Sequence, residues 1–148
     1  MWGRTMIYLG TTRSLITDGY GVPLGVIIAG ANVHDTKLFE QTILNMIIEK
    51  PDGTHHLCGD KGYDSDLNRH ISWAYDYQPN IHSRSEEIQK KKKNPNKKSR
   101  RWVVERTFSW LNKFRRLYIR WEKKSKNYEA FLHIACAIIA FRASGILG

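Results

Sequence analysis

R-R-W-V-V-E-R-T-F-S-W-L-N-K-F-R-R-L, residues 100–117, reads as a helix. At about 100° per residue, Arg101, Glu105, Ser109, Asn112 and Arg116 fall on one stripe. Val104, Phe108 and Leu111 continue beside them, and Val103, Trp110, Phe114 and Leu117 line another side. Glu105 is the one carboxylate in this basic stretch. Two readings are open for it. One is an intrahelical pair with an arginine. The other is a carboxylate kept for chemistry on a polyanion.

Upstream, H-H-L-C-G-D-K-G-Y-D-S, residues 55–65, reads as a short buried strand ending in a turn. Leu57 and Cys58 are apolar, Gly59 and Gly62 break the run, and Asp60 stands where the strand stops. A carboxylate at a strand end is well placed to meet a metal, because the loops at that edge leave room for a ligand. Asp and Gly are also default turn residues. His55 and His56 do not make a metal pair, since strand neighbours point to opposite faces.

The net charge of +10 is unevenly spread. Residues 90–126 hold 16 Lys or Arg against two acids, Glu105 and Glu122, while the rest of the chain is net acidic. One contiguous basic region is the footprint of a phosphate-binding surface. Lys90, Lys91, Lys92, Lys93, Lys97, Lys98, Arg100 and Arg116 are the candidate DNA contacts. The run K-K-K-K-N-P-N-K-K-S, 90–99, reads as a basic loop, either a solvated linker or a clamp on DNA. Tyr118 and Trp121 lie among these charges and are placed to stack on an unpaired base.

The length of 148 residues suits one ordinary domain. No apolar run approaches the roughly 18–20 residues of a membrane span, and the first ten residues lack a signal peptide's apolar stretch. Cys58 and Cys136 fall in core positions and need no disulfide, which suits a reducing cytoplasm. No C-x-x-C occurs, so a zinc site is not expected.

The periodicity predicts a hairpin over 7–17 and 22–29, turning at Gly19 and Gly21 with Asp18 as turn former. A helix over 35–50 follows, capped by Asp35, with Leu38, Phe39, Thr42, Ile43, Met46 and Ile47 inward. Then come a strand at 55–59, a helix near 64–75 and an edge or irregular strand at 77–83 containing Pro79. A last helix over 128–142 is capped by Asn127 and ended by Gly145, burying Tyr128, Phe131, Leu132, Ala135, Cys136 and Ile139. This order predicts an α/β protein with a mixed sheet.

D-K-G-Y-D-S and R-W-V-V-E-R-T-F-S-W-L-N-K-F-R-R-L together resemble the second and third acidic motifs of bacterial insertion-sequence DDE transposases of the IS-five type, in the IS-four-like superfamily. Residues 9–35, L-G-T-T-R-S-L-I-T-D-G-Y-G-V-P-L-G-V-I-I-A-G-A-N-V-H-D, resemble the family's hairpin after its first acidic motif. Residues 120–142 resemble its C-terminal end, so the likeness covers nearly the whole chain. It implies a ribonuclease-H-like mixed sheet flanked by helices. It also implies a divalent metal, Mg²⁺ or Mn²⁺, and DNA cleavage and strand transfer between insertion-sequence ends and target. Asp60 matches the second catalytic acid and Glu105 the third, both as metal ligands, and Arg101 matches the family's R-x-x-x-E. Lys98 stands where the family has a Tyr, and Asn112 where it has a Lys.

The family's first catalytic Asp lies upstream of the hairpin, and no Asp or Glu precedes Asp18 here. Residues 1–148 therefore resemble a partial catalytic domain, its C-terminal part, lacking the first strand. A fragment, a second reading frame or a remnant all fit. The expected partners are DNA, an upstream transposase segment carrying the first Asp, and further copies of the chain, in a bacterial cytoplasm at the nucleoid. Two metal ions about 3.5–4 Å apart promote phosphodiester cleavage, and carboxylates are their natural ligands. Two acids hold such a pair less well than three, so the chain is expected to be inactive alone. The alternative is a catalytically inactive, basic DNA-binding remnant.

Overall fold

A computed structural model describes residues 2–7, 10–59, 61–81 and 102–146. Asp60, Lys90, Lys91, Lys92, Lys93, Lys97, Lys98, Arg100 and Arg101 lie outside the described residues.

Strand β2, Thr11–Thr17, is the centre of an antiparallel meander, between β1, Trp2–Ile7, and β3, Pro23–Gly30. All seven of its residues are buried. Its side chains alternate between two cores, as strand geometry requires. Leu15, with Val26 of β3, faces three C-terminal helices: α3, Trp102–Asn112; α4, Arg115–Tyr118; and α5, Ser125–Ala143. Ile16 faces α1, Asp35–Leu44, together with Leu57, Tyr63 and Ile81. The last three belong to β4, His55–Gly59, a 3₁₀ turn at Lys61–Tyr63, and β5, Tyr77–Ile81. β5 runs parallel to β4 after the crossover helix α2, Asp66–Ala74. The fold is mixed α/β, as predicted.

β1 corrects one expectation. A sheet lacking its first strand was predicted, yet Trp2–Ile7 pairs along β2 from Trp2↔Ile16 to Ile7↔Thr11 and borders β4. Its sequence, W-G-R-T-M-I, contains no acid.

Three helix boundaries also differ. α1 stops at Leu44 rather than 50, because the chain turns back onto β3, where Ile47 N donates to Leu24 O (3.0 Å). Ile47 is consequently exposed rather than inward. His34, not Asp35, is its N-cap, its ring nitrogen accepting from Thr36 N. The single helix expected over 100–117 is broken after Asn112, where Phe114 takes an extended conformation (ψ 106°). α5 starts at Ser125, so Asn127 lies inside it; Gly145, with φ +69°, does follow its end.

The meander and the helical layer are joined at the β2–β3 turn. Asp18 builds that turn, its Oδ1 accepting from Tyr20 N and Val22 N, both at 2.8 Å. Gly21 adopts φ +87°. Thr107 Oγ1 donates to Gly21 O (2.7 Å), and Arg106 Nη2 donates to Tyr20 O.

One cation lies in the core. Arg13 is 1% exposed, with Nη2 donating to Asn112 Oδ1 (2.8 Å) and the guanidinium 5.5 Å from the Phe108 ring. Among the described residues its Nε and Nη1 find no partner, and burial lowers its pKa. Beside it, burial pushes the Cys136 thiol up to about 12, a pull that Arg13 partly offsets. That thiol is therefore neutral at ordinary pH.

Gly21→Ala should destabilise the fold by more than about 1 kcal/mol. The new Cβ would need a left-handed backbone and would stand 2.9 Å from Thr107 Oγ1. Gly19→Ala, where a Cβ meets nothing within 4 Å, should be close to neutral. Urea denaturation of the two variants checks the contrast.

Candidate active site

The end of β4 is held from both sides. Leu57 is buried, and Cys58 Sγ accepts from Asn80 Nδ2 of β5 (3.4 Å). A Cβ on Gly59 would meet Ile81 Cγ1 at 3.2 Å, so glycine lets the strands close there. Beyond position 60 the 3₁₀ turn is fixed by Tyr63, buried with its ring 5.9 Å from that of Phe39 on α1. Asn68 Nδ2 donates to Tyr63 O (2.9 Å), and Ser65 caps α2 by accepting from Asn68 N (3.2 Å). Asp64 accepts from Arg69 at 2.5 Å. Within D-K-G-Y-D-S, the tyrosine is thus a core anchor and the second acid an ion-pair partner.

Sequence reasoning gave Asp35 to helix capping. The structure gives capping to His34 and puts Asp35 beside the turn: a Cβ on Gly62 would lie 3.4 Å from Asp35 Oδ2. A carboxylate therefore lies next to the residues that follow Asp60. Only the N-V-H-D spelling at the end of the hairpin segment hinted at it, and that spelling reads equally as a cap.

Glu105 lies elsewhere. It is exposed on α3, where Val103, Val104, Thr107 and Phe108 face inward. It has no ion pair among the described residues. Next to it, the Arg106 guanidinium is held between the rings of Trp102 (4.6 Å) and Trp110 (4.9 Å). Thr107 binds Gly21, so this half of α3 sits at the β2–β3 turn. The 3₁₀ turn belongs to the other core and to the opposite end of β3, where Gly30 leads into α1. Strand β3 has eight residues, and at about 3.3 Å per residue that is roughly 25 Å of sheet. Glu105 is thus seated at the β2–β3 turn, and Gly62 beside the start of α1.

Among the described residues no three His, Cys, Asp or Glu stand together to hold a metal ion. Arg116 is exposed and engaged, pairing with Glu122 (3.2 Å) and lying 5.0 Å from the Phe131 ring.

Comparison with known proteins adds a family. The family described as "Transposase DDE domain" matches residues 8–140. The chain is also 34% identical over 143 residues to a protein assigned as a transposase for insertion sequence element IS402 of Burkholderia cepacia. That match covers 89% of this chain and 63% of the relative, so the chain spans less than two thirds of the relative's length. No solved structure matches it.

Spin labels at Gly62→Cys and Glu105→Cys, in a chain with Cys58 and Cys136 replaced, should report a separation above about 20 Å by pulsed electron resonance. A short distance would mean that α3 leaves its seat on Gly21.

Proposed function

Because the chain belongs to the transposase DDE domain family, we propose that it serves insertion-sequence transposition as part of a ribonuclease-H-like catalytic domain of the IS-five type. The family match across residues 8–140 is the observation that carries this reading. Supporting it, an antiparallel meander is followed by a helix and then by two parallel strands, the first of which ends directly before Asp60.

DDE transposase domains use divalent metal ions. Asp60 and Glu105 are the proposed ligands here, for Mg²⁺ or Mn²⁺, with Arg101 one helical turn from Glu105 to orient its carboxylate. The reaction proposed for the whole transposase is in two steps. A water oxygen attacks phosphorus at the element end, and the 3′-oxygen leaves as a hydroxyl. That hydroxyl then attacks a phosphorus of target DNA, forming one phosphodiester bond as another breaks.

The chain spans less than two thirds of the length of the insertion-sequence transposase it resembles. No acid precedes Asp18, and Glu105 is seated at the β2–β3 turn. The proposed partners are therefore an upstream segment bearing the first Asp, and further copies of the chain. A cytoplasmic, nucleoid-associated location accords with two free cysteines, and none of the described helices is long and apolar enough to cross a membrane.

The seat of Glu105 at the β2–β3 turn favours a second reading, a DNA-binding remnant without catalysis. Incubating the chain with Mg²⁺ and a duplex of the element end should give no strand transfer. Adding the upstream segment should restore it, and Asp60→Ala or Glu105→Ala should then lower the rate at least about a hundredfold. Failure of the upstream segment to restore transfer supports the remnant.

DNA affinity should depend on the lysine run in either case. Replacing Lys90, Lys91, Lys92 and Lys93 by Gln should weaken binding to every sequence and flatten its salt dependence, since each lost phosphate contact releases fewer counterions. An unchanged slope in a salt titration would mark the run as a solvated linker.

A further inference from the structure

The segment between α3 and α5 is anchored from within and presents its aromatic residues outward. Leu117 is buried, and its carbonyl accepts from Tyr128 Oη (3.2 Å). Arg120 turns inward: its guanidinium donates to Thr11 Oγ1, to Glu122 O (3.0 Å) and to Lys123 O (3.4 Å), and lies 5.5 Å from the Tyr128 ring. Glu122 is occupied by Arg116. These contacts fix the backbone, so the residues between them face solvent. Tyr118 is 63% exposed and Trp121 74%, with Ile119 half-exposed between them.

The core does not need those two rings. Leu117 and Tyr128 already close it, and among the described residues neither Tyr118 nor Trp121 makes a side-chain hydrogen bond or ring contact. Their surroundings are strongly cationic. Residues 113–126 hold seven Lys or Arg against Glu122 alone, and Lys123, Lys124 and Lys126 are exposed. Charge alone suits any nucleic acid. Exposed rings on a fixed backbone add something that a duplex cannot use, because its base faces are already stacked.

We propose that residues 113–126 form a platform for an unpaired DNA strand, with Tyr118 and Trp121 stacking on bases while the surrounding cations hold phosphates. That the strand is DNA rests on the transposase reading; the stacking surface rests on the geometry.

The test measures binding of the full chain to a labelled oligo(dT) strand, an oligo(U) strand and a duplex of the same length, by fluorescence anisotropy across a salt series. Trp121→Ala and Tyr118→Ala should each lose about tenfold on oligo(dT) and less than about twofold on the duplex, with the salt slope unchanged. Lys123→Gln with Lys124→Gln should weaken both and flatten the slope. Oligo(dT) should quench the wild-type tryptophan emission, and most of that quenching should vanish in Trp121→Phe. Circular dichroism melts confirm that the variants fold. Equal losses on strand and duplex, or no loss on the strand, overturn the proposal while leaving a DNA-binding transposase intact. A ring-dependent preference for oligo(U) overturns the assignment to DNA. Absence of binding to every probe overturns this proposal and the transposition reading together.

Discussion

Burial of β2 on both faces is the constraint on which the rest depends. Thr11–Thr17 has hydrogen-bonded neighbours on both edges and a core against each face. A strand so placed cannot slip by one residue without exchanging Leu15 and Ile16 between the two cores. The polar residues in it are accommodated rather than excluded: Ser14 Oγ accepts from Thr42 of α1, while Arg13 reaches Asn112 of α3. β2 thereby orients α1 on one side and α3 on the other, so Asp35 and Glu105 inherit their positions from it. Arg13 is the imperfect member, a buried cation with two nitrogens unmatched. Such a group weakens a core unless its bonds are complete.

The position of Glu105 follows from this packing. Glu105 points outward because Val103, Val104, Thr107 and Phe108 point inward, and Thr107 fixes the helix lengthwise on Gly21. The 3₁₀ turn is fixed independently, by Tyr63 against Phe39 in the other core. Neither side can move far without losing a buried aromatic or a buried hydrogen bond. β1 lies between β2 and β4, where the meander meets the parallel pair.

What the sequence shows and hides divides along physical lines. The strand at 55–59 was legible to the residue, because an apolar pair between histidines and Gly59 has no other regular reading. The D-G-Y-G turn and the inward stripe of the last helix were legible for the same reason, local chemistry and period. The end of α1 was not, because Ile47 leaves the helix for a hydrogen bond to Leu24, a tertiary competitor that no local pattern reveals. The nearness of Asp35 to Gly62 is likewise tertiary. β1 was missed because W-G-R-T-M-I neither alternates nor carries turn signals at both ends. Of the candidate site, motif matching supplied Asp60, Arg101 and Glu105. Only Glu105 lies among the described residues, where its exposure and its seat at the β2–β3 turn are facts of packing rather than of motif.

The C-terminal third combines two demands that usually conflict. A hydrophobic layer must close over Leu15 and Val26, yet the same stretch carries 11 of the chain's 24 Lys and Arg. The conflict is resolved by letting cations cover aromatic faces: Arg106 lies between Trp102 and Trp110, Arg116 over Phe131, and Arg120 over Tyr128. A guanidinium so placed shields the ring from water while its plane stays available for hydrogen bonds. Arg120 uses its bonds on backbone carbonyls and Thr11, so its charge holds the segment in place. The lysines that follow have no such duties among the described residues. In one short segment, then, arginines act as structure and lysines remain as surface charge, and the fold carries that charge without loosening the core beneath it.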